Sequence, residues 1–136
     1  MATSQNLSAE LAALHPELAD AVEANTMADG EVLLTVALGD FSRWLQASVA
    51  GGDMSDIPHI LGGIEKIAVA GDNHTLDVIG TGLIEMIAAF PPPIRDQVAP
   101  FLGPTCRGML GQMMTVDIRR QDQSWQREKH RSPRSD

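Results

Sequence analysis

The chain has 136 residues, within the range of about 100–200 that one domain with a single core occupies. Eighteen Asp and Glu against ten Lys and Arg give a net charge of −8, which opposes a general nucleic-acid-binding surface. Its apolar runs, such as VLLTVAL (Val32 to Leu38), fall far short of the roughly 18 residues of a membrane span.

The first amphipathic stretch is SAELAALHPELADAVEANT, with Leu11, Leu14, Leu18, Ala21 and Val22 on one stripe. Ser8 is the expected cap of its first turn, and Pro16 is expected to divide it. GEVLLTVALGDFSRWLQASVAGG follows, and its Gly39-Asp40 pair reads as a stop and a new N-cap, giving two short helices. Phe41, Trp44, Leu45 and Val49 share a face there. Trp44 is expected to be mostly buried against Ile79 to Leu83, with Asp40 capping its helix and pairing with Arg43. The β-branched content of EVLLTV makes that segment the one place where a strand competes.

Gly51-Gly52 ends this region, and Ser55 or Asp56 opens DIPHILGGIEKIAVAG, where Pro58 is tolerated in the first turn. Ile57, Ile60, Leu61, Ile64 and Ile67 form its apolar side. Gly71-Asp72-Asn73 turns the chain into HTLDVIGTGLIEMIAAF, expected as the second arm of a helical hairpin with Gly80 and Gly82 permitting close packing. Pro91 to Pro93 stop it, IRDQVAPFL gives a short helix, and Pro104 opens TCRGMLGQMMTVDIRR. The expected fold is therefore all-α, a compact stack of about five to seven short antiparallel helices resembling helical-repeat modules.

Charge divides the chain. Residues 119–136 hold six of the ten Lys and Arg and three of the eighteen acids, a net of +3, which leaves −11 on the rest. We read 1–118 as one acidic helical domain and 119–136 as a basic, disordered tail. In that tail Arg127, Lys129, Arg131 and Arg134, beside Trp125, could meet RNA or phospholipid through charge and stacking. The single Cys106 cannot form an internal disulfide, and MATSQNLSAE lacks a charged-then-apolar leader; the expected compartment is the cytoplasm.

Catalytic signatures are sparse. No HExxH, CxxC, GxxxxGK[ST] or GxSxG pattern occurs, and IGTGL lies inside an expected helix, where a phosphate loop has no place. Asp77, Thr81 and Glu85 share a face, but about 12 Å of helix rise between the two acids is too long for a carboxylate pair acting on one bond. His74 one turn before Asp77 could join it on a metal, although two ligands make a poor site. Glu85, inside GLIEMIAAF, needs either a partner, for which Arg43 and Lys66 are candidates, or a position on the wet edge of its helix. Met109, Met113 and Met114 suit either core filling or an adaptable binding face.

HPEL (His15 to Leu18), GDFSRWL (Gly39 to Leu45), GLIEMI (Gly82 to Ile87) and FLGPTCRGML (Phe101 to Leu110), in that order, resemble a family of small, uncharacterised bacterial all-helical proteins. The resemblance covers roughly residues 8–115, and it implies a helical domain without transferable catalytic residues. By analogy with other small acidic proteins it implies an immunity-type protein that neutralises a toxin, or an adaptor.

These readings converge on a non-enzymatic module that needs no cofactor or metal and binds a basic protein, such as a nuclease-like toxin. The expected partner-binding residues are Asp20, Glu23, Asp29 and Glu31 around one helix end, with Asp53 and Asp56 in a second acidic loop. Two alternatives stand beside it. One is a metal-dependent hydrolase using His74, Asp77 and Glu85; the other is a nucleic-acid- or membrane-associated regulator acting through the basic tail.

Overall fold

The computed structural model describes residues 6–115 and is all-α over them. Helix α1 spans Leu7–Ala12 and α2 spans Pro16–Ala24. The break between them is the expected one at Pro16, but α1 begins one residue before Ser8, and its N-cap is Asn6 without a side-chain cap bond. Pro16 opens α2 instead, where its missing N–H costs nothing. The cap of α2 is an imidazole: His15 Nδ1 accepts from the Glu17 N–H at 3.1 Å.

Helix α3 runs unbroken from Leu34 to Ala50, through Gly39-Asp40. This corrects the expected break. A glycine inside a helix costs about 1 kcal/mol, whereas fully burying one Leu or Phe side chain gains about 1.5–3 kcal/mol, and Leu38, Phe41 and Leu45 are all buried on the same side of α3. Asp40 is consequently not a cap. Its carboxylate accepts from Arg43 at 2.6 Å and from Asn25 Nδ2 at 2.9 Å, tying α3 to the end of α2.

Gly51 and Gly52 end α3, the latter at φ +86°, and α4 follows over Ile57–Ala70. After Gly71, Asp72 caps α5 (Asn73–Ile79) by accepting from the Thr75 N–H at 2.8 Å. The segment read as one helix then contains a π turn, Gly80–Ile84, before α6 (Glu85–Ala88). Helix α7 covers Pro92–Val98, a 3-10 turn covers Ala99–Phe101, and α8 covers 104–115 within the described residues.

All eight helices and the π turn contribute to the core, with Leu7, Leu11, Leu45, Ile60, Leu61 and Ile64 almost inaccessible to solvent. α3 crosses the π turn at Gly82, where an added Cβ would stand 2.8 Å from Leu38 Cβ and 3.1 Å from the Thr35 carbonyl. Gly82 thus permits the close approach expected of it. Gly80 is buried too, but a methyl there would make only ordinary contact with Met109 and Met113. Buried Ser42 completes the crossing by donating to the Leu38 carbonyl at 2.7 Å, with the Gly82 carbonyl 3.4 Å away.

Trp44 is half-buried and packs against the core. Its ring lies 5.4 Å from Phe41 and 5.1 Å from His15, so it seals the junction of α1, α2 and α3. The reason is helix phase: Phe41 and Leu45 take the fully buried line of α3, and Trp44 falls on the flank facing the α1–α2 corner.

Candidate protein-binding face

The connection from α2 to α3 is a short, pinned hairpin. Thr26 and Val32 form an antiparallel bridge; Met27 N–H donates to the Glu31 carbonyl at 2.6 Å and Leu33 N–H to that of Asn25 at 2.9 Å. The strand that competes with helix in EVLLTV is limited to this bridge, because α3 takes over at Leu34. Gly30 turns the loop at φ +91°, a conformation that favours glycine, and Asp29 Oδ1 accepts from the Glu31 N–H at 2.9 Å. Asn25 anchors the hairpin's base through Nδ2, which donates to the Ala21 carbonyl at 2.8 Å as well as to Asp40.

This loop presents apolar side chains to water. Met27 is 51% exposed, Leu33 41% and Val36 50%, and these are three of the five large exposed apolar residues among those described. Glu23, Asp29 and Glu31 are exposed beside them, and Asp20 is exposed one turn earlier on α2. A shallow depression of about 310 Å³ adjoins, lined by Glu31 to Val36 with His74 and Val78 of α5. An apolar centre with a charged rim is the usual anatomy of a protein-recognition patch. The sequence reading found the acids and missed the apolar centre. The available signal was that VLLTVAL is apolar on every side, so a single helix could not bury all of it.

The second acidic loop is held differently. Asp56 is exposed and lies 2.9 Å from His15 Nε2, so it joins the start of α4 to the α2 cap. Asp53 accepts from the Ser55 hydroxyl at 2.6 Å and its N–H at 3.2 Å, and those bonds hold its carboxyl below the usual range. Asp53 organises its own loop, and Asp56 ties that loop to the start of α2.

His74, Asp77 and Glu85 are all exposed, and no group of three or more His, Cys, Asp and Glu among the described residues is placed to hold a metal ion. Glu85 sits on the wet edge of its helix and makes no ion pair with Arg43 or Lys66; Arg43 is engaged by Asp40. Met109, Met113 and Met114 are partly buried against the core. Arg127, Lys129, Arg131, Arg134 and Trp125 lie outside the described residues.

One further carboxylate escaped the sequence reading. Glu65 of α4 reaches the start of α8, where Oε2 accepts from the Thr105 N–H and Oε1 from the Cys106 N–H, each at 3.0 Å. Burial alone would raise its carboxyl, but these bonds outweigh that effect and hold it below the usual value. Cys106 beneath it is fully buried; burial first, and the Glu65 charge second, push the thiol up to about 12. It is a packed thiol with no nucleophilic character at neutral pH.

The fold and this surface define a small all-α domain whose most distinctive exposed feature is an acid-rimmed apolar hairpin. The chain belongs to the DUF7674 family, a domain of unknown function, whose model matches residues 8–114. No curated protein and no solved structure matches it. No helix among the described residues is long and apolar enough to cross a membrane.

Proposed function

We propose that this chain is a non-enzymatic protein-binding module of the immunity type, acting in the cytoplasm on a basic partner such as a nuclease-like toxin. The observation that carries the reading is the grouping of exposed Met27, Leu33 and Val36 with Glu23, Asp29 and Glu31 on the pinned α2–α3 loop and the helix ends that flank it. Apolar side chains supply the desolvated centre that dominates binding energy, while the acids steer a basic surface and reject acidic ones. The pinned hairpin lowers the ordering cost of association, because the loop is already fixed by its own hydrogen bonds. Asp20 extends the rim. Asp53 and Asp56 are engaged by Ser55 and His15 and take a secondary part.

The test is retention of a basic protein from the native host by the immobilised full-length chain over graded salt. A Leu33→Ser/Val36→Ser double variant removes the centre, and Glu23→Lys/Glu31→Lys reverses the rim. The first should weaken retention at all salt concentrations by tens of fold, the scale of lost hot-spot contacts. The second should weaken it mainly at low salt. Co-expression with the retained protein should then relieve that protein's toxicity. Retention unaffected by both variants would refute the assignment of this face.

A further inference from the structure

The hairpin face gathers acids without cations. Glu23, Asp29 and Glu31 on its rim, and Asp20 beside them, pair with no Lys or Arg among the described residues. Of the four Lys and Arg in that part of the chain, Arg43 is held by Asp40, Arg95 donates to the Ala88 carbonyl, Arg107 donates to the carbonyls of Pro100 and Leu102, and Lys66 stands on α4. The chain's other six cations all fall in residues 119–136, together with its second tryptophan, Trp125. Arg127, Lys129 and Arg131 follow that tryptophan at every second position. An aromatic anchor with cations beside it is the chemical complement of an apolar centre with an acidic rim.

The fold brings the two within reach. Helix α8 packs along the π turn, where a Cβ on Gly80 would stand 3.5 Å from Met109 Sδ and 3.7 Å from Met113 Cε. Helix α5, which leads into that turn, supplies His74 and Val78 to the depression beside the hairpin, and Gly82 of the turn abuts the Thr35 carbonyl of α3. The end of α8 therefore lies next to the elements that carry the face. Ten residues lead from Thr115 to Trp125, a span of up to about 33 Å when extended. The second acidic loop is a poorer seat, because Ser55 and His15 already engage Asp53 and Asp56. It also stands at the other end of α3, about 25 Å away by helix rise.

We propose that residues 119–136 dock on the α2–α3 hairpin face of their own molecule, with Trp125 against Leu33 and Val36 and with Arg127, Lys129 and Arg131 on the acidic rim. The segment is then a built-in competitor for that face. A short tether sets a local concentration on the order of millimolar, so a foreign basic surface gains the face only by out-binding the chain's own segment. This inference rests on the reading of the face as a seat for basic sequence, which the proposed function shares.

Paramagnetic broadening in the full-length, ¹⁵N-labelled protein tests it. A spin label on Ser132→Cys is site-selective, because Cys106 is buried. At low salt the amides of Met27 to Val36 should lose most of their intensity while those of Gly52 to Asp56 keep theirs, and the loss should shrink as salt rises. Glu23→Lys/Glu31→Lys on the rim, or Trp125→Ser in the segment, should restore the hairpin signals severalfold. Spin-labelled protein without the isotope, mixed with unlabelled-thiol ¹⁵N protein, should give no broadening. Absent broadening, equal broadening of both acidic loops, broadening that survives both variants, or full broadening in the mixed sample would each overturn the proposal, the last by seating the segment on a second copy. Hairpin broadening with no host protein retained would support this inference and count against the proposed function, and retention without broadening would do the reverse.

Discussion

Glu65 and Cys106, forty-one residues apart, meet at 3.0 Å where a carboxylate from α4 accepts the backbone N–H that begins α8. The last described helix is thereby capped by a side chain of α4. Gly103 makes room for it, since a methyl at that position would overlap the Glu65 side chain.

Removing this cap should loosen α8. Glu65→Ala is expected to cost about 0.5–2 kcal/mol, the range for a lost helix cap. Glu65→Gln should cost less, since its amide keeps one acceptor oxygen of the two in use. Gly103→Ala should resemble Glu65→Ala, by displacing the carboxylate. Thermal melts of the three variants check the order.

The same carboxylate makes acid stability dependent on Glu65. Its folded pKa lies below its ordinary value of 4.5, so the unfolded chain binds the proton more readily. The stabilisation is complete above the unfolded value and is lost as pH falls through the lower, folded value. Melting temperature should therefore fall less steeply in acid for Glu65→Gln than for the parent. Parallel acid limbs would show that the bonds to Thr105 and Cys106 do not hold in solution.

Cys106 gives the opposite limb. With its folded pKa raised from 9.0 to about 12, the thiol's contribution is intact below pH 9 and disappears as pH climbs toward 12. Cys106→Ala should flatten the alkaline melt over that interval, at the cost of a small cavity. In the native parent, iodoacetamide should label this thiol at neutral pH only at the rate of opening, and labelling should become rapid in denaturant.

Gly82→Ala should be among the most damaging single-methyl additions. The added Cβ meets Leu38 Cβ at 2.8 Å and a backbone carbonyl at 3.1 Å, neither of which can rotate away. Overpacking of this kind costs about 1–3 kcal/mol. Gly80→Ala, facing the flexible Met109 and Met113 side chains at 3.5 Å or more, should be nearly neutral or stabilising. Equal losses at the two positions would refute the distinction.

Trp44 and Phe41 separate core from flank. Phe41, 1% exposed, should cost about 3–5 kcal/mol as alanine. Trp44→Ala should cost less than Phe41→Ala, because the indole is only half-buried, on the flank beside His15 and Phe41. His15→Ala should cost about 0.5–2 kcal/mol by removing the α2 cap. Urea titrations of the three variants would rank them, and a Trp44→Ala loss as large as that of Phe41→Ala would place the indole in the core after all.

The helical class, the turns at Gly51-Gly52 and Gly71-Asp72, the break at Pro16, the prolines in the first turns of α4 and α8, and the stripe of Ile57, Ile60, Leu61 and Ile64 were legible in the sequence, where Pro91 to Pro93 read only as a stop although α7 starts at Pro92. Those features are local: periodic burial and fixed backbone torsions are written within a few residues of where they act. The sequence also located the acids of the α2–α3 loop, since charge is legible without a fold. Tertiary structure alone decided that α3 continues through Gly39, because the deciding gain is burial of Leu38, Phe41 and Leu45 against other helices. It decided likewise that His15 caps α2 beneath Trp44, that Glu65 caps α8, and that Met27, Leu33 and Val36 remain uncovered. Each depends on which surfaces meet, and a helix with apolar residues on every side does not announce which of them its neighbours will cover.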